Sequence, residues 1–322
     1  MSSRETFPGL RSDRLHALVG GAGRVPEVRS FKVREVVDLG DRLLVVTSDR
    51  VSAFDRVLTT IPSKGQVLNQ LSVFWFRHTA DIVAGHLLRE VTPRSMLVRR
   101  CSVVPVEVVV RGYLTGSAWR DYQRDGAVSG IRLPAGMRAD ERFPEPLLTP
   151  STKAPPGQHD RPLARAELLA GDIVDGQLWE RIEAAALRLY RRGVEMAARG
   201  GLILVDTKYE FGTIGDELVL ADEVHTPDSS RYWYAGEYAE RFAEGRPQRK
   251  LDKEFLRAWL MERGYMGDGE PPEIPDHVRE GLGERYREAF RLLTGAELVP
   301  SAFSEQEELA EYAGVIRAGA GG

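Results

Sequence analysis

The chain is short of cysteine, of clustered histidine and of long apolar runs, and each shortage removes a class of protein. One cysteine, Cys101, in 322 residues excludes an internal disulfide framework and fits a reducing compartment. No apolar stretch reaches the length of a bilayer span, and the opening run MSSRETFPGLRSDRLHALVGGAG lacks the continuous apolar segment of a secretory signal. A cytoplasmic protein with no membrane partner is expected. The six histidines (His16, His78, His86, His159, His225, His277) show no H-E-x-x-H or related spacing, so any metal would be held by oxygen. A basic excess is missing too: 44 Lys and Arg against 48 Asp and Glu leave a net charge of -4, which argues against general nucleic-acid binding. There is no G-x-x-x-x-G-K-[ST] phosphate loop, GGAG at 20–23 fails the G-x-G-x-x-G spacing, and no internal repeat is evident.

What is present is an ordinary globular composition, 42% hydrophobic and 29% charged, in a chain long enough for one large domain or two closely packed ones. Residues 28–47 read as two strands joined at Leu39-Gly40-Asp41, LNQLSVFWFRHTADIVAGHL as an amphipathic helix, and MLVRRCSVVPVEVVVRGYL as further β-branched runs. Residues 134–177 are rich in proline, glycine and charge and read as a long loop, functional or disordered. Beyond them Ile182, Ala186, Leu189, Gly193 and Met196 form a helical stripe closed by Gly200-Gly201. Two more helices follow in KEFLRAWLMERGY and DHVREGLGERYREAFRLLTG, and the tail IRAGAGG reads as frayed.

The stretch LILVDTKYEFGTIGDELVLADEVHTPDSSRYW carries the strongest chemical signal. Strand periodicity puts Asp206, Lys208 and Glu210 on one face, and a turn centred near Ile214 would add Leu218, Leu220 and Asp222 to it. Glu210 and Asp222 could then face one site, a donor set suited to Mg²⁺, which takes one or two carboxylates and completes its shell with water and phosphate. Against this stands a solvated face with ion pairs, the usual meaning of acids on a strand. His225, Asp228 and Arg231 continue the cluster, and TPDSSR offers hydroxyls and an arginine that can hold phosphate, although alone it is a common turn. Arg111, Gly112, Gly116 and Ser117 could form a second phosphate cradle, or merely a strand-to-helix connection with Ser117 near its N-cap. Lys153 sits in a proline-restricted loop with His159-Asp160 beyond, where a lysine is usually solvated. YEFG is similar to the metal-binding D-F-G of protein kinases, but no H-R-D-type loop accompanies it, which disfavours a protein kinase.

In order, KVRE, TSDRVSAFD, IPSKG, VPVEVVVRGYLTGSAW, FPEPLLTPSTKAPPGQHD, VDTKYEFG, LADEVHTPDSSRYW and LDKEFLRAWL resemble the SAICAR synthetase family from about Lys32 to Gly295, in its longer form. The resemblance implies an α+β fold of two subdomains with an ATP cleft between them, distantly like protein kinases. It divides the chain into an N-terminal extension (1–27), a sheet-rich nucleotide-binding subdomain (28–105), a larger substrate- and metal-binding subdomain (106–295) and a C-terminal extension (296–322). The implied reaction joins L-aspartate to carboxyaminoimidazole ribonucleotide with ATP consumed, through an acyl phosphate. By the same resemblance Glu210 and Asp222 hold Mg²⁺, and Asp206, Lys208 and Lys153 act at the reacting groups. Lys32, Arg34 and the segment Val104, Val106 and Glu107 contact ATP, while Arg111, Ser117, Asp160, Asp228 and Arg231 grip the ribonucleotide. Ser52, Ala53 and Asp55 match a motif near the cleft without an assigned role. Phe31, where the family usually has glycine, and Val37, where an aromatic is common, depart from the pattern. Two competing readings are an ATP-dependent kinase or ligase of the same fold with another substrate, and a nucleotide-binding module without catalysis. A nucleic-acid protein is a distant third.

Overall fold

The computed structural model describes Leu15 and residues 27–54, 56–153, 161–171, 173–251 and 254–319. The β-branched runs before residue 100 give strands β1 (Val28–Ser30), β2 (Arg34–Asp38) and β3 (Arg42–Thr47), a hairpin of β4 (Arg50–Ala53) and β5 (Arg56–Thr60), the helix Lys64–His78, a short β6 (Ala84–Gly85), and β7 (Leu87–Thr92) with β8 (Ser95–Arg99). Five of these strands form an antiparallel sheet in the order β1-β2-β3-β8-β7. Two expectations need correction. The first run is not one strand: it breaks at Phe31 to Val33, where Phe31 N–H donates to the Arg34 carbonyl at 2.8 Å. The helix begins earlier and stops at His78, with Thr79 Oγ1 bonded back to the Trp75 carbonyl; the following residues build β6 and β7.

The second sheet is larger. Strand β9 (Ser102–Leu114) leads into the helix Gly116–Asp125, the small hairpin β10 (Ala127–Val128) and β11 (Ile131–Arg132), and β12 (Glu141–Thr152). The helices Arg165–Ala170 and Gly176–Arg199 follow, then β13 (Leu202–Ile214), β14 (Glu217–Ala221) and β15 (Ser230–Tyr234). The order is β12-β9-β13-β14-β6, with β15 also paired to β13. Residues 141–152, read as loop because of Pro144, Pro146 and Pro150, form a strand at the sheet edge. An edge strand can lack donors on its outer side, and the register shift between Arg142 and Leu147 absorbs the first two prolines. Nor does β9 break at Gly112; glycine is needed there because a Cβ would lie 2.1 Å from the Tyr190 hydroxyl.

The helix Gly176–Arg199 is capped by Asp175, whose side chain accepts from the N–H groups of Gln177 and Leu178, and it buries the whole expected stripe against the second sheet. The C-terminal segment serves the first sheet. After the helix Asp276–Thr294, Gln66 Nε2 donates to the Val299 carbonyl, and the helix Glu305–Gly319 then lays Tyr312 and Ile316 on Val37, Leu44 and Val46. Val45 and Val98 point the other way, into the main core. Ile316, expected in a frayed tail, is therefore core, and the smaller side chain at Val37 lies beneath this helix. Among the described residues, no helix is long and apolar enough to cross a membrane.

Candidate active site

Register builds the site. Strands β9 and β13 run antiparallel with Glu107 opposite Glu210, Val109 opposite Lys208, and Arg111 opposite Asp206. Directly opposed residues share a face, so Glu107 and Arg111 join the face predicted for Asp206, Lys208 and Glu210, while Val108, Val110 and Tyr209 go to the core. That face is a chain of opposite charges. Lys208 Nζ lies 2.6 Å from Glu210 Oε1 and 2.9 Å from Glu107 Oε1, and Lys153 Nζ bonds the other oxygen of Glu210. Farther along, Arg231 and Arg111 reach Asp206 Oδ2 at 2.9 and 3.4 Å, and Arg111 Nε donates to Thr149 Oγ1.

The electrostatics follow from this pairing. Burial would push the Glu210 carboxyl up, but the charges and hydrogen bonds of Lys208 and Lys153 outweigh it and bring the pKa down to about 2. Burial likewise works against the Lys208 ammonium, and Glu210 and Glu107 overcome it, so its pKa is raised. Both groups are therefore charged across the physiological range. Val109, Arg111, Ser117, Thr207, Ser229, Ser230 and Arg257 line the adjoining cleft of about 320 Å³ together with Glu107, Asp206, Lys208, Asp228 and Arg231. Its far wall is the N-terminal turn of the helix Gly116–Asp125. Gly116 has φ 59°, and a Cβ there would stand 2.4 Å from Arg231 Nη1, so glycine lets the guanidinium lie against the helix start. Ser117, inside the first turn rather than at the cap, faces the same space, as an anion site at a helix N-terminus requires.

Asp222 arrives by a different route from the one its spacing suggested. The hairpin turns on two residues, Gly215 and Asp216, with Ile214 opposite Glu217, so Glu210 faces Ala221 and the side chains of Leu218 and Leu220 fall on the opposite, core face with Phe211. Strand β14 then ends, and Asp222 turns out with φ 64°. Its carboxylate pairs with Arg34 of β2, whose other terminal nitrogen is 3.0 Å from Glu223 Oε2. This pair links the two sheets, as do the backbone bonds of His86 to Leu220 and Arg99. Lys32 is exposed on the β1–β2 loop, whose Phe31 and Lys32 carbonyls are held by Arg50 at 2.8 and 3.0 Å. Phe31 itself is 55% exposed.

Other expected residues fall elsewhere. The side chains of Val104 and Val106 are buried in the main core, so only their backbone could meet a ligand, and Glu107 is committed to Lys208. Ala53 is buried on β4 beside Ser52; Asp55 and Asp160 lie outside the described residues. His225 does not join the cleft cluster. It is fully buried, edge-on to Trp75 at 4.5 Å, with its Nε2 bonded to the Tyr209 hydroxyl, and burial lowers its pKa to about 3. It anchors the 222–230 loop from below. Ser229 and Ser230, the hydroxyls of TPDSSR, line the cleft. Lys64, Arg257 and Thr207 carried no expectation, although IPSKG and LDKEFLRAWL contain the two cations; a single cation beside apolar residues reads locally as a solvated one.

A metal would find a suitable though occupied donor set. Among the described residues no group of three or more His, Cys, Asp or Glu could hold one. Glu210 and Asp222, the latter adjoining Glu210's cross-strand neighbour Ala221, offer the one or two ionised carboxylates that Mg²⁺ takes from a protein when phosphate supplies the rest. Both now carry cations, of which Lys153 is 39% exposed and the readiest to exchange.

The SAICAR synthetase family model matches residues 27–272. The chain belongs to the SAICAR synthetase family. The phosphoribosylaminoimidazole-succinocarboxamide synthase of Bacteroides thetaiotaomicron is 45% identical over 285 residues, covering 87% of this chain and 91% of that one. Among solved structures, the SAICAR synthase of Saccharomyces cerevisiae complexed with SAICAR superposes with a TM-score of 0.75 at 34% identity, covering 85% of this chain and 96% of that one. A SAICAR synthetase in complex with ADP gives a TM-score of 0.65 at 26% identity, covering 85% of this chain and all (100%) of that one. The mixed α+β architecture is thus that of the SAICAR synthetases, and the activity is their ligase activity in purine biosynthesis, the joining of L-aspartate to carboxyaminoimidazole ribonucleotide.

Proposed function

We propose that the β9–β13 face and the cleft adjoining it perform this ligation with ATP and Mg²⁺, through an acyl phosphate. The observation that carries the reading is the β9–β13 register, which sets Asp206, Lys208 and Glu210 beside Glu107 and Arg111 at the wall of the cleft. A carboxylate resists attack by an amine because its oxygen leaves poorly. Transfer of the terminal phosphoryl group of ATP to that oxygen yields the acyl phosphate and ADP; the aspartate amine then attacks the acyl carbon, loses a proton and expels phosphate.

The residues divide this work by position. Arg111, Ser117 and Arg231 receive the ribonucleotide phosphate, where two guanidinium forks and a helix N-terminus converge, and Asp228 completes that grip. Lys208 and Asp206 lie at the reacting groups: the ammonium, held charged, neutralises negative charge that builds as three anions are brought together. Lys153 closes over the site by exchanging Glu210 for substrate. Lys32 and Arg34 face the nucleotide phosphates, with the adenine along the backbone from Val104 through Val106 to Glu107. Mg²⁺ bound by Glu210 and Asp222 would screen those phosphates. Support for ATP comes from the relative solved with ADP. The lone Cys101, half-buried with its thiol pushed up by burial, fits a cytoplasmic setting.

The test is ADP release from ATP and Mg²⁺ with the ribonucleotide and L-aspartate supplied singly and together. Release that requires both, with matching succinocarboxamide product, is expected. Release without the ribonucleotide would assign the fold another substrate, and none at all would leave a nucleotide-binding module.

A further inference from the structure

Lys64 is buried, 1% exposed, at the first position of a helix. Stability alone disfavours it there three times over. An ammonium loses its hydration on burial, the helix start carries positive partial charge, and a four-carbon stem gives up its rotamers. The helix start is also cramped. Ser63 takes φ 65°, a Cβ on Gly65 would stand 2.3 Å from the Thr47 carbonyl, and Asp49 must accept the Gly65 N–H at 2.8 Å. A carboxylate contributes to the compensation. Lys64 Nζ lies 2.8 Å from Asp228 Oδ2, while the Tyr286 hydroxyl, from the helix Asp276–Thr294, donates to Asp228 Oδ1 at 2.5 Å. The ammonium also sits 5.4 Å from the Tyr286 ring centre.

Asp228 is the member of this cluster that lines the cleft, one turn of chain from Arg231. Its carboxylate is gripped by one group from beneath the first sheet and another from the helix Asp276–Thr294, so both oxygens have a fixed direction. We infer that Lys64 and Tyr286 are positioning residues, which aim the Asp228 carboxylate at the bound ribonucleotide and cost the fold stability to do so. The inference rests on the proposed reading of the cleft as the ribonucleotide site. It adds two residues remote from substrate, and it ties the substrate wall to the helix that supports the first sheet.

The test compares Tyr286→Phe, Lys64→Met, Asp228→Asn and the double variant Lys64→Met/Asp228→Asn, measuring KM for the ribonucleotide and for ATP, kcat, and binding of SAICAR by calorimetry. Tyr286→Phe keeps the ring and removes one hydrogen bond to a charged acceptor, so ribonucleotide KM and SAICAR Kd should rise about ten-fold, with kcat and ATP KM within about two-fold. Lys64→Met should cost more, and the double variant should bind SAICAR no worse than Lys64→Met alone, because the two side chains act as one unit. The double variant also removes both buried charges, so it folds even where Lys64→Met fails. If Asp228→Asn weakens SAICAR binding while Tyr286→Phe leaves it unchanged and the double variant shows simple additivity, the positioning role is overturned and the cleft reading stands. Unchanged binding in Asp228→Asn would overturn the cleft role of Asp228 and the positioning role with it.

Discussion

The β9–β13 face and the Arg34–Asp222 junction both set carboxylates against cations, yet they are built by different means. On the face, Glu107, Arg111, Asp206, Lys208 and Glu210 are placed by the register of two long antiparallel strands, and backbone ladders fix it on both sides. At the junction, side chains set Arg34 against Asp222 and Glu223, with Glu223 also accepting from Thr226 Oγ1 at 2.6 Å, beside a backbone link in which His86 donates to the Leu220 carbonyl and accepts from the Arg99 N–H. The face is thus held by strand register and the junction by ion pairs beside a single backbone link, so damage to one should alter the chemistry and damage to the other should alter how the first sheet is held.

The largest expected effect tests the junction. Arg34→Met leaves two carboxylates without their cation, of which Glu223 is 10% exposed at its side chain, and should cost about 3–5 kcal/mol of stability, read by urea unfolding, with a raised KM for ATP. An unchanged unfolding midpoint would remove the pair as a tie between the sheets. Asp222→Asn keeps shape and Glu223's hold on Arg34, and should lower Mg²⁺-dependent turnover at least about 100-fold with a melting shift below about 4 °C. Near-normal turnover would take Asp222 out of the metal site. On the face side, Gly116→Ala forces an L residue into φ 59° against Arg231, at a cost of about 1–2 kcal/mol, and should weaken ribonucleotide affinity with ATP affinity unchanged. Weakened ATP affinity instead would blur the division between the two regions.

The smallest effect concerns the loop that joins them. His225 below it and His86 beside Arg34 are buried and neutral, each lowered from 6.5 to about 3, the first by burial and the second by burial with the charges of Arg34 and Arg99. Below pH 6.5 the unfolded chain takes protons that the folded chain refuses, so the stability these rings contribute is complete above 6.5 and is lost as pH falls toward 3. The slope is at most about 1.4 kcal/mol per pH unit for each ring. His225→Gln should flatten the acid side of the stability profile, and an unaltered profile would contradict the neutral burial of this ring.

The same contrast explains what the sequence disclosed. Asp206, Lys208 and Glu210 were legible because a strand alternates with period two whatever its partner. That β9 rather than β14 completes their face was not, since pairing between strands about 100 residues apart leaves no local mark. The face of Asp222 was drawn from strand spacing, but the Gly215-Asp216 turn moves the partner of Glu210 from Leu218 to Ala221, an odd shift that exchanges the faces, and the left-handed backbone at Asp222 re-aims it. The prolines of β12 signalled a loop because edge position is a property of the sheet, not of the segment. Lys64 and Tyr286 were silent, as their meaning lies in a carboxylate more than 50 residues from either.

The most direct test is Lys208→Met, with ADP release followed in the presence of both other substrates and ATP affinity measured separately by calorimetry. The account predicts ADP release slowed at least about 100-fold while ATP binds within a few-fold of the parent affinity. ADP release near the parent rate would reduce the β9–β13 face to an ion-paired wall and place the chemistry elsewhere.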